Sequence, residues 1–179
     1  MRREILVRRA AEADLPAIAA IYAEAVRAGT GSFELEAPDV AEMTRRWRKR
    51  VSKGFPYLVG VRDGAVVGYA YAGRYRTSAA YRFLLEDSIF IAPEARRTGV
   101  GRALLTELIR LCEDLGYRQM IALIAGAAEN PSSVGLHDQL GFRQVGVIEG
   151  SAFKHGRWIE TVLMQRALGE GKASAPREE

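Results

Sequence analysis

The chain has 179 residues, 48% of them hydrophobic and 27% charged, with a net charge of +4. These values suit a folded domain with its own core and exclude a fibrous or wholly disordered chain. No stretch approaches the roughly 20 apolar residues of a membrane span, and the single cysteine, Cys112, excludes an intrachain disulfide and fits a reducing cytoplasm.

Met1-Arg2-Arg3-Glu4 is basic, but no apolar h-region follows, which argues against a signal peptide. Ile5-Leu6-Val7-Arg8-Arg9 reads as a first strand. Asp14 can cap a helix, with Pro16 tolerated in the first turn, where its missing N–H matters little. Leu15, Ile18, Ile21, Tyr22, Ala25 and Val26 share one face at helical spacing. Gly29-Thr30-Gly31-Ser32 stops that helix and leaves Phe33 in a loop. Asp39 starts a second helix running to about Lys53-Gly54, in which Arg45, Arg46, Arg48, Lys49, Arg50 and Lys53 crowd around Trp47. A nucleic-acid surface and a solvated helix face are both readings of that charge. The chain carries no nucleic-acid motif, so the solvated face is preferred.

The period then changes. Residues 57–61 and 66–71 read as strands joined by Arg62-Asp63-Gly64-Ala65, with Asp-Gly at a hairpin tip. Residues 75–81 read as an irregular loop, followed by the apolar, β-rich run Leu84–Ile91. Val100, Leu104, Leu108, Leu111 and Leu115 mark one buried face of the next helix, stopped by Gly116. Residues 120–124 form a short buried strand, and residues 131–140 a further helix ended by Gly141. Residues 142–148 and 158–165 close the chain as two strands, joined through a turn in Lys154-His155-Gly156-Arg157-Trp158. The order β-α-α-β-β-β-α-β-α-β-β predicts an α/β (α+β) domain: a mixed sheet with helices on both faces. One domain is expected over residues 1–168, with residues 169–179 a disordered tail.

Between the Leu84–Ile91 strand and its helix stands Arg96-Arg97-Thr98-Gly99-Val100-Gly101, followed by Arg102. A helix start offers free N–H groups and the positive end of the dipole. Gly99 and Gly101 remove Cβ atoms that would hold a phosphate away, and the arginines add charge. Such a site suits a pyrophosphate. Neither the dinucleotide fingerprint nor the mononucleotide loop is present.

The turn fits the [Q/R]-x-x-G-x-[G/A] signature of the GNAT N-acetyltransferases, and the element order is that of their splayed sheet. The chain further resembles the phosphinothricin and methionine sulfone/sulfoximine N-acetyltransferase branch. The matching phrases are Asp14-Leu15-Pro16, Gly68-Tyr69-Ala70-Tyr71-Ala72-Gly73, Glu86-Asp87-Ser88-Ile89-Phe90-Ile91, Asn130 with Ser133, Leu136-His137, Leu140-Gly141-Phe142 and Lys154-His155-Gly156-Arg157-Trp158. They run from about residue 5 to about residue 166.

The resemblance implies a cytoplasmic homodimer that transfers acetyl from acetyl-CoA to the α-amino group of a small amino-acid analogue. It implies that acetyl-CoA lies in a V-shaped opening, its pantetheine arm along the backbone of Ile89, Phe90 and Ile91. Arg96, Arg97, Thr98, Gly99, Val100, Gly101 and Arg102 would cradle the pyrophosphate, and Asn130 would contact the pantetheine. His137 occupies the position where many GNAT enzymes place a tyrosine to protonate the departing thiolate; a general acid and a cofactor-site contact are its two readings. Tyr75, Arg76 and Thr77 stand where the branch carries an aromatic-Arg-Pro substrate segment, so Arg76 would hold the α-carboxylate. Thr77 replaces the frequent proline. Phe33 would wall the acceptor pocket.

Glu86, Asp87 and Ser88 alternate across their strand, and two carboxylates in an apolar strand call for pairing or function. Glu86 is read as the base that frees the amine, with Ser88 on its face and Asp87 on the other, near the acceptor. The structural alternative pairs Asp87 with an arginine and leaves Glu86 at a wet strand end. Cys112 reads as a small buried helix residue rather than a nucleophile. No metal-ligand spacing or Ser-His-Asp set is found. Other functions weighed are acetylation of a protein, peptide or polyamine amine, a non-catalytic CoA-binding regulator, and a nucleic-acid binder. Expected partners are a small acceptor and a second copy, without nucleic acid or membrane.

Overall fold

A computed structural model of the chain describes residues 4–176. The basic start of the chain and the last three residues of the expected tail lie outside the described residues. One sheet has the strand order β1-β2-β3-β4-β5-β7-β6. Its strands are β1 (Leu6–Arg9), β2 (Tyr57–Arg62), β3 (Ala65–Arg74), β4 (Leu84–Ile91), β5 (Gln119–Ala125), β6 (Arg143–Lys154) and β7 (Arg157–Ala167). Between them run α1 (Leu15–Ala28), α2 (Val40–Val51), α3 (Val100–Asp114) and α4 (Pro131–Gln139). The succession is the one the sequence patterns predict, and the sheet is mixed: β4 and β5 are parallel, the other paired neighbours antiparallel.

Alternation along β3 and β4 assigns the helices to faces. Tyr69 stacks on Phe90, with centroids 5.3 Å apart, and Phe90 meets Tyr22 of α1 edge-on at 4.9 Å. Their neighbour Gly68 looks the other way, where a Cβ would stand 3.2 Å from Val100 Cγ1 of α3. Gly60 on β2 faces α3 too, at 3.1 Å from the same methyl. Glycine at both positions lets α3 lie close on the sheet. Leu104, Leu105, Leu108 and Cys112 are fully buried there, each leucine contributing about 1.5–3 kcal/mol.

Two local readings are corrected. The α3 stripe lies further round than expected: Ile109 and Cys112 belong to it, Leu111 is only half-buried, and Leu115 is 51% exposed. Leu115 is the C-cap, past the last turn that rests on the sheet; Gly116 ends the helix with φ +82°. Asp14 does not cap α1 with its side chain. It accepts two hydrogen bonds from Arg8 (2.7 and 2.8 Å) and one from the Ala11 amide (2.8 Å), so β1 is pinned to the helix start instead. Asp39 does cap α2, accepting from the Glu42 amide at 2.7 Å. After β7 the chain turns back on Arg118, which donates to the carbonyls of Gly171 (2.9 Å) and Ser174 (3.0 Å). The described part of the segment from residue 169 carries hydrogen-bonded turns beside the buried Leu168.

Candidate active site

The parallel register of β4 with β5 runs from Leu84 opposite Gln119 to Asp87 opposite Ala122 and goes no further. Beyond it the two strands part. Ser88 to Ile91 keep β3 on one side and face a cavity of about 1100 Å3 on the other. The far wall is Leu123 to Ala125 of β5 with the start of α4, and the turn before α3 and the loop after α1 also line it. An unpaired strand edge beside a helix start presents amides and carbonyls to a ligand.

At one end, Gly99 holds φ +95° and Arg97 φ +58°, a left-handed pair that aims the turn into the α3 N-terminus. Arg96, Arg97, Gly99, Gly101 and Arg102 line the cavity. Thr98 and Val100 do not: the Thr98 hydroxyl donates to the Ala95 carbonyl (2.6 Å) and accepts from Arg62 (2.6 Å), while Val100 is buried against the sheet. Gly101 has a second reason to be glycine. A Cβ there would come 3.1 Å from Leu136 Cδ2, so its absence lets α4 approach α3. Arg102 ties the same helices by donating to Gln139 at 2.6 Å.

In the middle, β4 presents its carboxylates to opposite faces. Glu86, Ser88 and Phe90 share the α1 side with Tyr69 and Tyr71 of β3. Glu86 lines the cavity. Burial raises its pKa, the neighbouring Asp87 charge adds to this, and Arg50 and Arg76 oppose it. A carboxylate so placed is a better proton acceptor than one in water.

Asp87 points to the α3 and α4 side and is buried. Its partner is His137, not an arginine: Asp87 Oδ2 lies 3.1 Å from His137 Nε2. The other ring nitrogen, Nδ1, is 2.7 Å from the Ser133 carbonyl, which can only accept. Both ring nitrogens thus face acceptors, and the pair is best satisfied as imidazolium and carboxylate. Burial pushes the imidazole down, but the charge and hydrogen bond of Asp87 outweigh it and the pKa rises. His137 lines the cavity, with both ring nitrogens engaged and its side chain 2% exposed. Asp87 Oδ1 is buried without a protein partner. Burial, with Asp87 adding to it, pushes the Cys112 thiol up to about 12, which removes any thiolate chemistry at neutral pH.

At the far end, three loops are fastened together. Thr30 accepts a hydrogen bond from Asn130 Nδ2 (2.9 Å) and donates to Glu129 (3.1 Å), which pairs with Arg157. Lys154, buried at the β6–β7 turn, donates to the Ser32 carbonyl at 2.9 Å. Phe33, Asn130 and Ser88 line the cavity. Asn130 Nδ2 also bonds the Ala125 carbonyl at 2.6 Å, so its donor group serves the loop. Tyr75, Arg76 and Thr77 are not brought to the cavity. Arg76 is exposed, its guanidinium 5.0 Å from the Tyr75 ring centroid. Tyr22, Tyr71 and Thr30 line the cavity too, although helical and strand periodicity reads them as core or turn. Among the described residues no three His, Cys, Asp or Glu side chains gather as a metal site, and no helix is long and apolar enough to cross a membrane.

The chain is similar to known proteins along most of its length. Phosphinothricin N-acetyltransferase of Alcaligenes faecalis is 54% identical over 170 residues, 95% of this chain and 86% of that relative. The L-methionine sulfoximine/L-methionine sulfone acetyltransferase of Pseudomonas paraeruginosa is 35% identical over 171 residues, 95% of this chain and 98% of that one. A crystal structure of a GNAT superfamily phosphinothricin acetyltransferase from Sinorhizobium meliloti in complex with AcCoA superposes with a TM-score of 0.94. It is 49% identical, with 99% of this chain and 95% of the other covered. The Acetyltransferase (GNAT) family model matches residues 18–142, from α1 through the splayed strands to the end of α4. With its parted β4 and β5 and its arginine-glycine turn at the head of α3, the chain belongs to the GNAT acetyltransferase family.

Proposed function

We propose that the chain is an acetyl-CoA-dependent N-acetyltransferase for the α-amino group of a small amino-acid analogue of the phosphinothricin, methionine sulfoximine or methionine sulfone type. The observation that carries this reading is the continuous cavity from the Arg96–Arg102 turn, past the free edge of β4, to Glu86. It has an anion-binding end, a stretch of strand edge and a basic carboxylate, in the order in which acetyl-CoA and an amine need them. Arg96, Arg97, Arg102 and the α3 N-terminus hold the phosphates, and the backbone of Ile89, Phe90 and Ile91 holds the amide-rich arm. Similarity to acetyltransferases of such analogues supports the acceptor class.

Glu86 takes a proton from the ammonium, and the freed amine attacks the thioester carbonyl. The C–N bond forms, the C–S bond breaks, and the second proton lost from nitrogen passes through solvent to the departing thiolate, giving the free thiol. No group on the enzyme is acetylated. Asp87 and His137 act as positioning residues, locking β4 to α4 behind the reacting centre. The enzyme is read as a cytoplasmic homodimer. Val147, Ile148, Phe153 and Trp158, between 43% and 69% exposed on β6 and β7, support self-association there.

The test is thiol release from acetyl-CoA with the three analogues, common amino acids, a polyamine and a lysine peptide, for wild type and Glu86→Gln. The analogues should react fastest, and Glu86→Gln should lose at least about 100-fold in kcat. Inert analogues beside a reactive peptide or polyamine would overturn the acceptor class, and a fully active Glu86→Gln would overturn the base.

A further inference from the structure

We propose that Lys154, at the tip of the β6–β7 hairpin, is a positioning residue for the acceptor and acts through Phe33; the inference rests on the amino-acid reading above. The tip is a tight two-residue turn. His155 and Gly156 both take positive φ, 53° and 75°, and leave Lys154 and Arg157 directly opposite each other. Those two cations reach different loops. Arg157 pairs with Glu129 in the loop after β5, and Lys154 Nζ donates to the Ser32 carbonyl, 2.9 Å away, in the loop after α1. His155 Nε2 lies 3.4 Å from the Gly29 carbonyl of that second loop. Both loops line the cavity, the first with Glu129 and Asn130, the second with Gly29 to Glu34.

The two arms of this clamp are unequal. Arg157 and Glu129 are exposed, and such a pair contributes little. Lys154 is buried, and among the described residues its ammonium has no carboxylate partner. Burying an ammonium against a neutral carbonyl costs desolvation, and an apolar side chain could fill the same space without that cost. What the ammonium adds is direction: a charge-assisted hydrogen bond on the carbonyl of the peptide that leads into Phe33. Ser32 is held from its other end too. Its hydroxyl lies 2.9 Å from the Tyr22 hydroxyl and accepts from the Glu34 amide at 3.2 Å. Ser32 is thus buried and fixed at both polar ends, while Phe33 beside it stands at the cavity wall, 45% exposed. A ring so lightly packed takes its place from its backbone, and Lys154 sets that backbone.

The experiment is a double-mutant cycle read in steady-state kinetics, with acetyl-CoA as donor and the fastest of the three analogues as acceptor. Wild type, Lys154→Met, Phe33→Ala, the two together and Lys154→Arg are each measured. Lys154→Met should raise KM for the acceptor about 10-fold or more and leave KM for acetyl-CoA within about 2-fold, which also shows that the protein is folded. In Phe33→Ala the acceptor KM should already be raised, and adding Lys154→Met should raise it no further. Lys154→Arg, which can still donate to the carbonyl, should keep part of the acceptor affinity. Effects that multiply in the double variant would overturn the action through Phe33. An unchanged acceptor KM in Lys154→Met, or an equal rise in both KM values, would overturn the positioning role. A wild type that acetylates a peptide or polyamine but none of the three analogues overturns the amino-acid reading, and the link from Phe33 to the acceptor with it.

Discussion

Replacing Asp87 with asparagine keeps the shape of a buried side chain and removes its charge. Asp87 and His137 are 1% and 2% exposed and 3.1 Å apart, so solvent screens the pair little. Breaking such a pair from one side costs about 3–5 kcal/mol. Asparagine returns about 1 kcal/mol by donating to Nε2 of a now neutral imidazole, whose Nδ1–H still serves the Ser133 carbonyl. The expected loss is about 3 kcal/mol, or about 6–12 °C in Tm for a chain of this size. The loss depends on pH. His137 holds its proton more tightly in the folded protein than in the unfolded chain, since Asp87 overcomes burial. The stabilisation is therefore full below the ordinary imidazole pKa of 6.5 and is lost as pH rises through the raised folded value. Urea denaturation of wild type and Asp87→Asn between about pH 5.5 and 9 should show the gap widest at the acid end and narrowing toward about 1 kcal/mol. A gap below about 1 kcal/mol that does not change with pH would refute the reasoning, because it would mean that the pair is neutral and nearly isosteric with its replacement.

Burial, reinforced by Asp87, lifts Glu86 above the ordinary 4.5, so the acid limb of kcat/KM should lie above that value. This limb should vanish in Glu86→Gln; an unchanged limb would assign it elsewhere. Gly68→Ala would place a Cβ 2.7 Å from Ile91 Cδ1 and 3.2 Å from the Phe90 carbonyl. Thermal melts should show about 1–3 kcal/mol of destabilisation, and no loss would mean that α3 and β4 are less closely seated on β3. Thr30→Val leaves the donor of Asn130 one acceptor short and Glu129 without the Thr30 hydroxyl. It should cost about 1–3 kcal/mol, with Thr30→Ser close to wild type; equal stability of the valine variant would remove Thr30 as the hub of the three loops.

Much of this molecule is local in origin. The 57–71 hairpin is announced by Asp63-Gly64, and both residues take positive φ, 50° and 79°, as that turn requires. The apolar run Leu84–Ile91 is a strand to the residue. The arginine-glycine turn declares the phosphate end, because left-handed backbone at Gly99 and free amides at a helix start are properties of a few consecutive residues. Alternation along β4 also places Glu86 and Asp87 on opposite faces without any tertiary knowledge.

The partners of those residues were not legible. Asp87 pairs with a histidine 50 residues away, and no spacing rule relates a strand residue to a residue on a later helix. From helical spacing Arg50 reads as one charge among many on a solvated helix. Packing lays its guanidinium 4.3 Å from the ring centroid of Tyr71. Gly101 shows the same division, since room for a phosphate is a local argument and the approach of Leu136 is not. By itself the sequence determined the element order, the sidedness of β4 and the family. Only the tertiary structure decided where β4 and β5 part and which charges are neutralised. Periodicity encodes the face a side chain takes, whereas what it meets there depends on how distant elements pack.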